Sequence, residues 1–332
     1  MSGREILMLG DINIDTVWPV SEFPTPGRDG LTETVKVEMG GAVINSAIVL
    51  DNLGQRTSLL GCVGNDVWAE QMARELAQTN INQKHVYVKP ESTTGLTFII
   101  VTPDGERTMF SNRGANIQLD IQDVDEDAFK NIGILHISGY ALLKPPQKNA
   151  VWRAVELAKI HNVQICLDTG LEPAIKKPKD LRHLLGELTI CISGPQEISA
   201  LFGSTSPEEA ADLLLSSGIQ LAAIKLGEEG SFVADGKGRF FCPSFPVDAV
   251  DTTGAGDSFT AGLLYGWTHG LSLPASAVLA SALGALAASV YGAGFSLPDK
   301  KHVVDFLRSR KGESETVVRN GMEEVIADLE ND

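Results

Sequence analysis

The feature that most constrains this chain is an alternation of short apolar runs with segments of helical period. Segments between the runs carry apolar residues at three- and four-residue intervals, and one opens with the capping sequence Ser206-Pro207-Glu208-Glu209. The alternation predicts an α/β fold with a doubly wound, mainly parallel sheet and helices on both faces. The predicted strands are Glu5–Gly10, Thr57–Val63, Ile132–Ser138, Val163–Asp168, Leu188–Ser193 and Leu221–Gly227.

Two segments interrupt this rhythm. Residues 14–37 contain three prolines followed by alternating polar and apolar residues, and residues 93–113 alternate similarly around Pro103-Asp104-Gly105. We expect these inserted β-segments to form either a small lid over a cleft or an edge extension of the main sheet. We interpret residues 1–332 as one domain whose acidic tail, residues 311–332, holds a weakly anchored last helix.

Composition excludes several classes of protein. The 27 Lys and Arg against 43 Asp and Glu give a formal charge of −16, which disfavours nucleic acid as a partner. The four cysteines are widely spaced, without metal or disulfide patterns, as in a cytoplasmic protein. Residues 258–298 lack Asp, Glu, Lys and Arg, but Gly and Pro interrupt the run. We therefore expect two buried helices near 256–268 and 275–291 and no membrane span.

The strongest chemical signal is the string DTTGAGDSF at residues 251–259, directly before a helical segment. Small residues at a helix N-terminus leave several backbone N–H groups unblocked, and with the helix dipole they suit a phosphate. Asp257 falls in the first turn of this helix. A carboxylate there can take a proton from a hydroxyl while the N–H groups stabilise a transferring phosphoryl group.

This string and MGGAVINSAIVLDNLG at residues 39–54 resemble the two signature regions of the ribokinase-like (PfkB-type) carbohydrate kinases. The resemblance runs from about Ile6 to about Pro298. It implies a doubly wound α/β domain with a small β lid, and transfer of the γ-phosphate of ATP, with Mg²⁺, to a hydroxyl of a sugar or nucleoside, usually a primary one. It also implies that Asp257 is the catalytic base and that Gly254, Ala255 and Gly256 form the anion hole.

The same resemblance assigns further residues to three groups. The substrate group consists of Asn13, Asp15, Gly40, Gly41, Asn45 and Arg113. The nucleotide group consists of Glu197, Lys225, Gly227 and Gly230; Glu197 would help to hold Mg²⁺, although Gly194 stands where the family usually has asparagine. A monovalent cation such as K⁺ would bind at Asp251, Thr253 and Ser296, with Gly294 as a further partner.

Other functions stay open at this stage. One is a nucleoside kinase and another is a catalytically silent sugar- or nucleotide-binding protein on the same fold. A third is a serine esterase, since Gly256-Asp257-Ser258 reads as its GDS motif and Asp299 precedes His302 at the required spacing. Neither GxGxxG after a strand nor the Walker pattern occurs, which disfavours dehydrogenases and P-loop enzymes.

The identity of the phosphoryl acceptor is open as well. Ala42 replaces a lysine of ribokinase itself, and residues 138–143 lack the glutamate of ribokinase-type members. A ketose, another hexose, a sugar acid and a nucleoside are all compatible with these residues. A lid can pair with a second lid, so we expect a homodimer formed through it.

Overall fold

The structure is a computed structural model that describes residues 4–104, 107–203, 206–313 and 315–331. The described residues form thirteen strands and eleven α-helices. The strands are β1 (Glu5–Leu9), β2 (Asn13–Pro19), β3 (Lys36–Gly40), β4 (Thr57–Gly64), β5 (Asn82–Lys89), β6 (Gly95–Val101), β7 (Arg107–Asn112), β8 (Ile132–Ser138), β9 (Gln164–Asp168), β10 (Ile190–Ser193), β11 (Leu221–Lys225), β12 (Gly230–Asp235) and β13 (Arg239–Pro243).

The helices cover both faces of the main sheet, as the sequence predicts. They are α1 (Ala42–Asn52), α2 (Val67–Leu76), α3 (Gln147–Ile160), α4 (Leu171–Lys176), α5 (Pro178–Leu185), α6 (Pro195–Phe202), α7 (Pro207–Ser216), α8 (Ala255–His269), α9 (Leu273–Ala288), α10 (Lys300–Arg310) and α11 (Thr316–Asn331). Alternate residues of β1 enter two separate cores. Ile6 and Met8 pack with α1, α2 and α8–α11, whereas Leu7 and Leu9 pack with α3–α7. This arrangement confirms the doubly wound prediction.

The main sheet has nine strands in the order β13-β12-β11-β10-β9-β8-β1-β4-β5. All pairings from β5 to β11 are parallel, and β12 and β13 add an antiparallel edge hairpin. The six predicted strands are all present. Strands β5 and β13 were missed because they are edge strands whose partly exposed sequences lack a continuous apolar run, and β12 was missed although four of its six residues are buried.

The winding of this sheet reverses beside β1. The chain runs from β1 outward through β4 to β5 and then returns to β8 on the other side of β1. In open α/β sheets, ligands bind outside the carboxyl ends of the strands at such a reversal. Gly10-Asp11 follows β1 there and leads directly into β2.

The inserted β-segments form a separate four-stranded sheet in the order β3-β2-β6-β7. Strand β2 is antiparallel to β3 and parallel to β6, and its residue Asn13 lies opposite both Gly40 and Gly95. The small sheet is therefore no edge extension of the main one. The alternation at residues 32–35 does not become strand, since β3 begins at Lys36. Gly105 of the predicted turn lies outside the described residues.

The expected weak anchoring of the C-terminal tail is wrong. Helix α11 buries one apolar side in the main core and leaves its acidic side to solvent. The buried residues are Val318, Met322, Val325, Ile326 and Leu329. Tyr265 on α8 also donates a hydrogen bond to Asp328 at 3.0 Å.

The two predicted helices of small residues are α8 and α9, which pack against each other. A Cβ built on Gly262 would lie 2.7 Å from the Cα of Ala280, so the glycine permits this close approach. Within the described ranges, no helix is both long and apolar enough to cross a membrane.

Candidate active site

The turn before helix α8 leaves backbone N–H groups available at the helix N-terminus. Gly254 adopts a left-handed conformation (φ 75°), and no side chain in the described part of the chain caps the helix. The N–H of Ala255 donates to the carbonyl of Thr252. Among the described residues, none accepts a hydrogen bond from the N–H of Gly256 or Asp257. These two donors, at the positive end of the helix dipole, can bind an anion.

Asp257 lies beside these donors with its carboxylate held by helix α1. Asn45 Nδ2 donates to Asp257 Oδ2 at 2.7 Å, and Ser46 Oγ donates to the backbone carbonyl of Asp257 at 2.9 Å. Burial raises the pKa of Asp257 to about 6; the hydrogen bond from Asn45 lowers it, and the charge of Asp168 raises it. A carboxylate with such a pKa can exchange a proton near neutral pH.

A buried ion pair lies next to the same helix end. Lys225 Nζ donates to both carboxylate oxygens of Asp168, at 3.0 and 2.8 Å, and Thr260 Oγ1 donates to Asp168 Oδ2 at 2.8 Å. A Cβ built on Gly256 would lie 3.6 Å from Lys225 Nζ. Burial disfavours the charge of Lys225, but Asp168 more than offsets it and the pKa of Lys225 is raised. The ammonium is therefore a fixed positive charge beside the anion-binding N–H groups.

Glu197 lies in the first turn of α6, with its carboxylate folded back over Gly194. A Cβ built on Gly194 would lie 2.3 Å from Glu197 Oε2, so an asparagine there would displace the carboxylate. The charge of Glu197 is close enough to Lys225 to raise the pKa of that lysine. Gly227 (φ 59°) and Gly230 (φ 112°) form the turn that joins β11 to β12. Nothing in the described structure tests their predicted contact with a nucleotide.

Asp15 on β2 is buried and incompletely hydrogen-bonded. Asp15 is 5% exposed, and its Oδ1 has no hydrogen-bond partner among the described residues. Burial raises the pKa of Asp15 to about 7. Hydrogen bonding to the Thr97 side chain lowers this pKa, and the negative charge of Asp257 raises it. A Cβ built on Gly40 would lie 2.0 Å from Asp15 Oδ2, so the glycine is required for this position of the carboxylate.

Asn13 is fixed by an asparagine that the sequence analysis missed. Asn116, fully buried, donates to Asn13 Oδ1 at 2.8 Å and to the carbonyl of Ile12 at 3.1 Å, and accepts from the N–H of Ile12 at 2.8 Å. Gly41 (φ 96°) has no room for a Cβ, which would lie 2.5 Å from the carbonyl oxygen of Asp11. The only sequence signal for Asn116 was its place three residues after the second inserted segment.

Arg113 is engaged in an ion pair below the small sheet. Its Nε and Nη2 donate to the two carboxylate oxygens of Asp11 at 2.5 and 2.7 Å, and Nη2 also donates to Gln147 Oε1 at 2.5 Å. Gln147 in turn donates to Asp11 at 2.8 Å. Arg113 is therefore no surface arginine, and these donors tie the end of β7 to the end of β1.

The residues predicted to bind a monovalent cation already have partners. Asp251 Oδ1 accepts from the N–H and hydroxyl of Thr253 at 2.9 and 2.6 Å, and Oδ2 accepts from the N–H of Gly292 at 2.9 Å. Ser296 Oγ accepts from Lys36 Nζ at 2.5 Å. Lys36, on β3, was not predicted to have a role.

The esterase alternative is wrong. The hydroxyl of Ser258 is fully buried and has no hydrogen-bond partner among the described residues. The side chain of His302 is 68% exposed and pairs with Asp299, which caps α10. A nucleophile buried away from both substrate and base cannot act.

The chain is similar to known proteins in both sequence and fold. Residues 4–300 match the model of the family described as "pfkB family carbohydrate kinase". A 5-dehydro-2-deoxygluconokinase from Clostridium beijerinckii is 29% identical over 297 residues, covering 85% of this chain and 87% of that protein. The ribokinase structure from Thermotoga maritima has a TM-score of 0.77 at 26% identity, covering 92% of this chain and 99% of that one. An E. coli structure in complex with ATP and Mg²⁺ has a TM-score of 0.84 at 24% identity, with the same coverage, and shows the fold alone.

Proposed function

Because the chain belongs to the pfkB family of carbohydrate kinases, we propose that it transfers the γ-phosphate of ATP to a hydroxyl of a small sugar. One observation carries the proposal. The carboxylate of Asp257, with a pKa of about 6, lies in the same helical turn as two unpaired backbone N–H groups. A proton acceptor and an anion site are thereby held within one turn of helix, as phosphoryl transfer to a hydroxyl requires.

In the reaction, Asp257 accepts the proton of the attacking hydroxyl as the oxygen bonds to the γ-phosphorus. The bond from that phosphorus to the bridging oxygen breaks, and ADP leaves with the electron pair. The N–H groups of Gly256 and Asp257 stabilise the negative charge on the transferring group. Asn45 holds the carboxylate in position, and Lys225 supplies a positive charge beside it. The proton on Asp257 then passes to water once the product has left.

We propose Glu197 as the protein group that would hold Mg²⁺. Within the described residues no cluster of three or more His, Cys, Asp and Glu side chains could hold a metal. Mg²⁺ bound with a nucleotide usually has one or two protein carboxylates and takes its other ligands from phosphates and water, so a single carboxylate fits. When bound, the ion would neutralise charge on the phosphates of ATP.

The acceptor would bind at the carboxyl end of β1, between Asp15, Asn13 and Asn45. The unpaired Oδ1 of buried Asp15 favours a ligand that donates hydroxyl hydrogens, because an unsatisfied buried acceptor is costly. The small sheet then acts as a lid that excludes water, so that transfer to the sugar outcompetes hydrolysis. One relative is named 5-dehydro-2-deoxygluconokinase. The first acceptor to test is therefore 5-dehydro-2-deoxygluconate, a six-carbon keto sugar acid.

We also propose that two copies pair through this lid. Val37, Thr16, Phe98 and Phe110 lie opposite one another across the four strands and so form one row on one face. Phe98 and Phe110 are 40% and 59% exposed, and Trp18 stacks on Phe98. A second copy would cover this apolar face by matching the same surface.

The test is ADP release from MgATP with a panel of sugar acids, hexoses, pentoses and nucleosides. We expect turnover with one sugar class and its loss in Asp257→Asn. Turnover with nucleosides alone would show that the acceptor is a nucleoside and not a sugar. Binding of ATP and sugar by calorimetry without turnover in any combination would instead identify a silent binding protein.

A further inference from the structure

The oxygens around Ser296 suit a monovalent cation, but a side chain of this chain already occupies their centre. Lys36 Nζ donates to the backbone carbonyl of Tyr291 at 2.6 Å and to Ser296 Oγ at 2.5 Å, and lies 3.1 Å from Glu38 Oε2. A backbone carbonyl, a hydroxyl and a carboxylate thus surround one nitrogen. An ammonium has three donors, and each has one of these three oxygens as a partner.

The fit of a free K⁺ ion at this place is correspondingly poor. The ion would need the oxygen of Ser296 that Lys36 already binds. Both carboxylate oxygens of Asp251 already accept hydrogen bonds from Thr253 and Gly292. A free ion would also have to share the space with a second positive charge on Lys36, which electrostatic repulsion opposes.

The same contacts connect the lid to the anion site. Lys36 and Glu38 are on lid strand β3, and Glu38 Oε1 accepts from the N–H of Ala293. Gly292, one residue earlier, donates to Asp251, whose other oxygen accepts from Thr253 just before the anion-binding turn. Gly292 (φ 87°) cannot carry a side chain, since a Cβ there would lie 1.8 Å from Glu38 Oε1 and 2.8 Å from Lys36 Nζ. A positive charge among these oxygens therefore fixes the loop that supports the turn.

We propose that the ammonium of Lys36 does the work of a monovalent cation, as a positioning residue that makes phosphoryl transfer independent of K⁺. Lys36 lies on lid strand β3, so its positive charge is carried by the same strand as Gly40. The inference rests on the proposed kinase function, but occupancy of the site can be measured without turnover.

The experiment compares the wild type with Lys36→Ala in chloride salts of K⁺, NH₄⁺ and tetramethylammonium at equal ionic strength. ADP is quantified directly by chromatography, so no coupling enzyme adds its own cation requirement. Wild-type kcat should vary by less than about 2-fold among the salts. In tetramethylammonium, Lys36→Ala should lose about 10-fold or more in kcat, and K⁺ or NH₄⁺ should restore most of it. The side chain of Lys36 is 42% exposed, so its truncation opens a path from solvent to the oxygens.

Thermal unfolding gives the second readout, which does not depend on activity. Lys36→Ala should unfold about 1–2 °C higher in K⁺ than in tetramethylammonium, because an ion bound only to the folded state stabilises it. The wild type should show no such difference. Lys36→Met keeps an apolar stem in the opening and should be impaired without rescue, and Lys237→Ala, an exposed lysine on the β12–β13 turn, is the matched control.

Three results would overturn the proposal. The first is clear stimulation of the wild type by K⁺, and the second is full activity of Lys36→Ala in tetramethylammonium. The third is a Lys36→Ala variant equally impaired in every salt, with an unfolding temperature that no cation changes; Lys36 would then be a structural latch only. If no sugar is phosphorylated at all, the proposed function fails, while the unfolding data still decide whether the ammonium fills a cation site.

Discussion

Replacing Asp15 with asparagine should stabilise the protein at pH 8 while weakening its sugar binding. Burial raises the pKa of Asp15 from 3.8 to about 7. Because the folded state holds this proton more tightly than the unfolded chain, the free energy of unfolding falls as pH rises from about 4 to about 7. Each pKa unit corresponds to about 1.4 kcal/mol, so ionising the buried carboxyl costs the folded state about 4 kcal/mol at pH 8.

Asparagine removes this cost but introduces one of its own. Its amide NH₂ would lie where Asp15 Oδ1 now has no partner, and an unsatisfied buried donor costs about 1–3 kcal/mol. The net gain at pH 8 is then about 1–3 kcal/mol. At pH 5 the wild-type carboxyl is mostly protonated in the folded state. The free energy of unfolding of the variant, relative to that of the wild type, should therefore be about 2–3 kcal/mol lower at pH 5 than at pH 8.

Urea unfolding of both proteins at pH 5 and pH 8 measures this difference. The amide penalty is common to both pH values, so it cancels when they are compared. Asp29→Asn changes an exposed aspartate of the loop between β2 and β3, and should give the same small effect at both pH values. A stability difference for Asp15→Asn that is equal at pH 5 and pH 8 would refute a raised pKa for Asp15.

Three further predictions concern turnover and assembly. Asp257→Asn should lower kcat by about 10²–10⁴ with little change in either KM, and wild-type kcat should rise with pH to a plateau above about 6, since the base must be ionised; retained activity would exclude Asp257 as the base. Gly40→Ala forces a Cβ to within 2.0 Å of the Asp15 carboxylate and should raise the KM for sugar about 10-fold or more, whereas Gly236→Ala, with open space around it, should not. Phe110→Asp should convert a dimer into a monomer with the fold intact, as measured by the molar mass from light scattering. An unchanged molar mass would show that the lid is not the dimer interface.

The sequence predicted those parts of the structure that depend on neighbours along the chain. Alternating apolar runs predicted the central strands, and the string at residues 251–259 predicted the turn before α8 with Asp257 in the first turn of the helix. Contacts between distant segments carry no such local signal. Lys36 meets Ser296 across 260 residues, and Thr260 meets Asp168 across 92.

Two further features have the same origin. The contacts of Arg113 with Asp11 and Gln147 could not be predicted from the sequence, because the fold brings these residues together from distant parts of the chain. The tail looked weakly anchored because it is acidic and its apolar residues form only a short patch in the sequence. Five of the apolar residues fall on one side of α11 and are buried against the main core, which includes α9, whereas Val317 is exposed.

The division of the site between two sheets has a consequence for how such an enzyme can be altered. Asp15 and Asn13 belong to the small sheet, whereas Asp257 belongs to α8 and Lys225 to strand β11 of the large sheet. Substitutions at Asn13 or Asp15 should therefore alter acceptor preference with little effect on transfer chemistry, whereas Lys36 and Glu38 of the same sheet contact the loop that supports the α8 turn. Asn45, on α1, also connects the two parts of the site, since it donates to Asp257 and accepts from Gly294 N–H at 3.3 Å. A change at Asn45 would therefore disturb the position of the Asp257 carboxylate together with any contact that Asn45 makes with the acceptor.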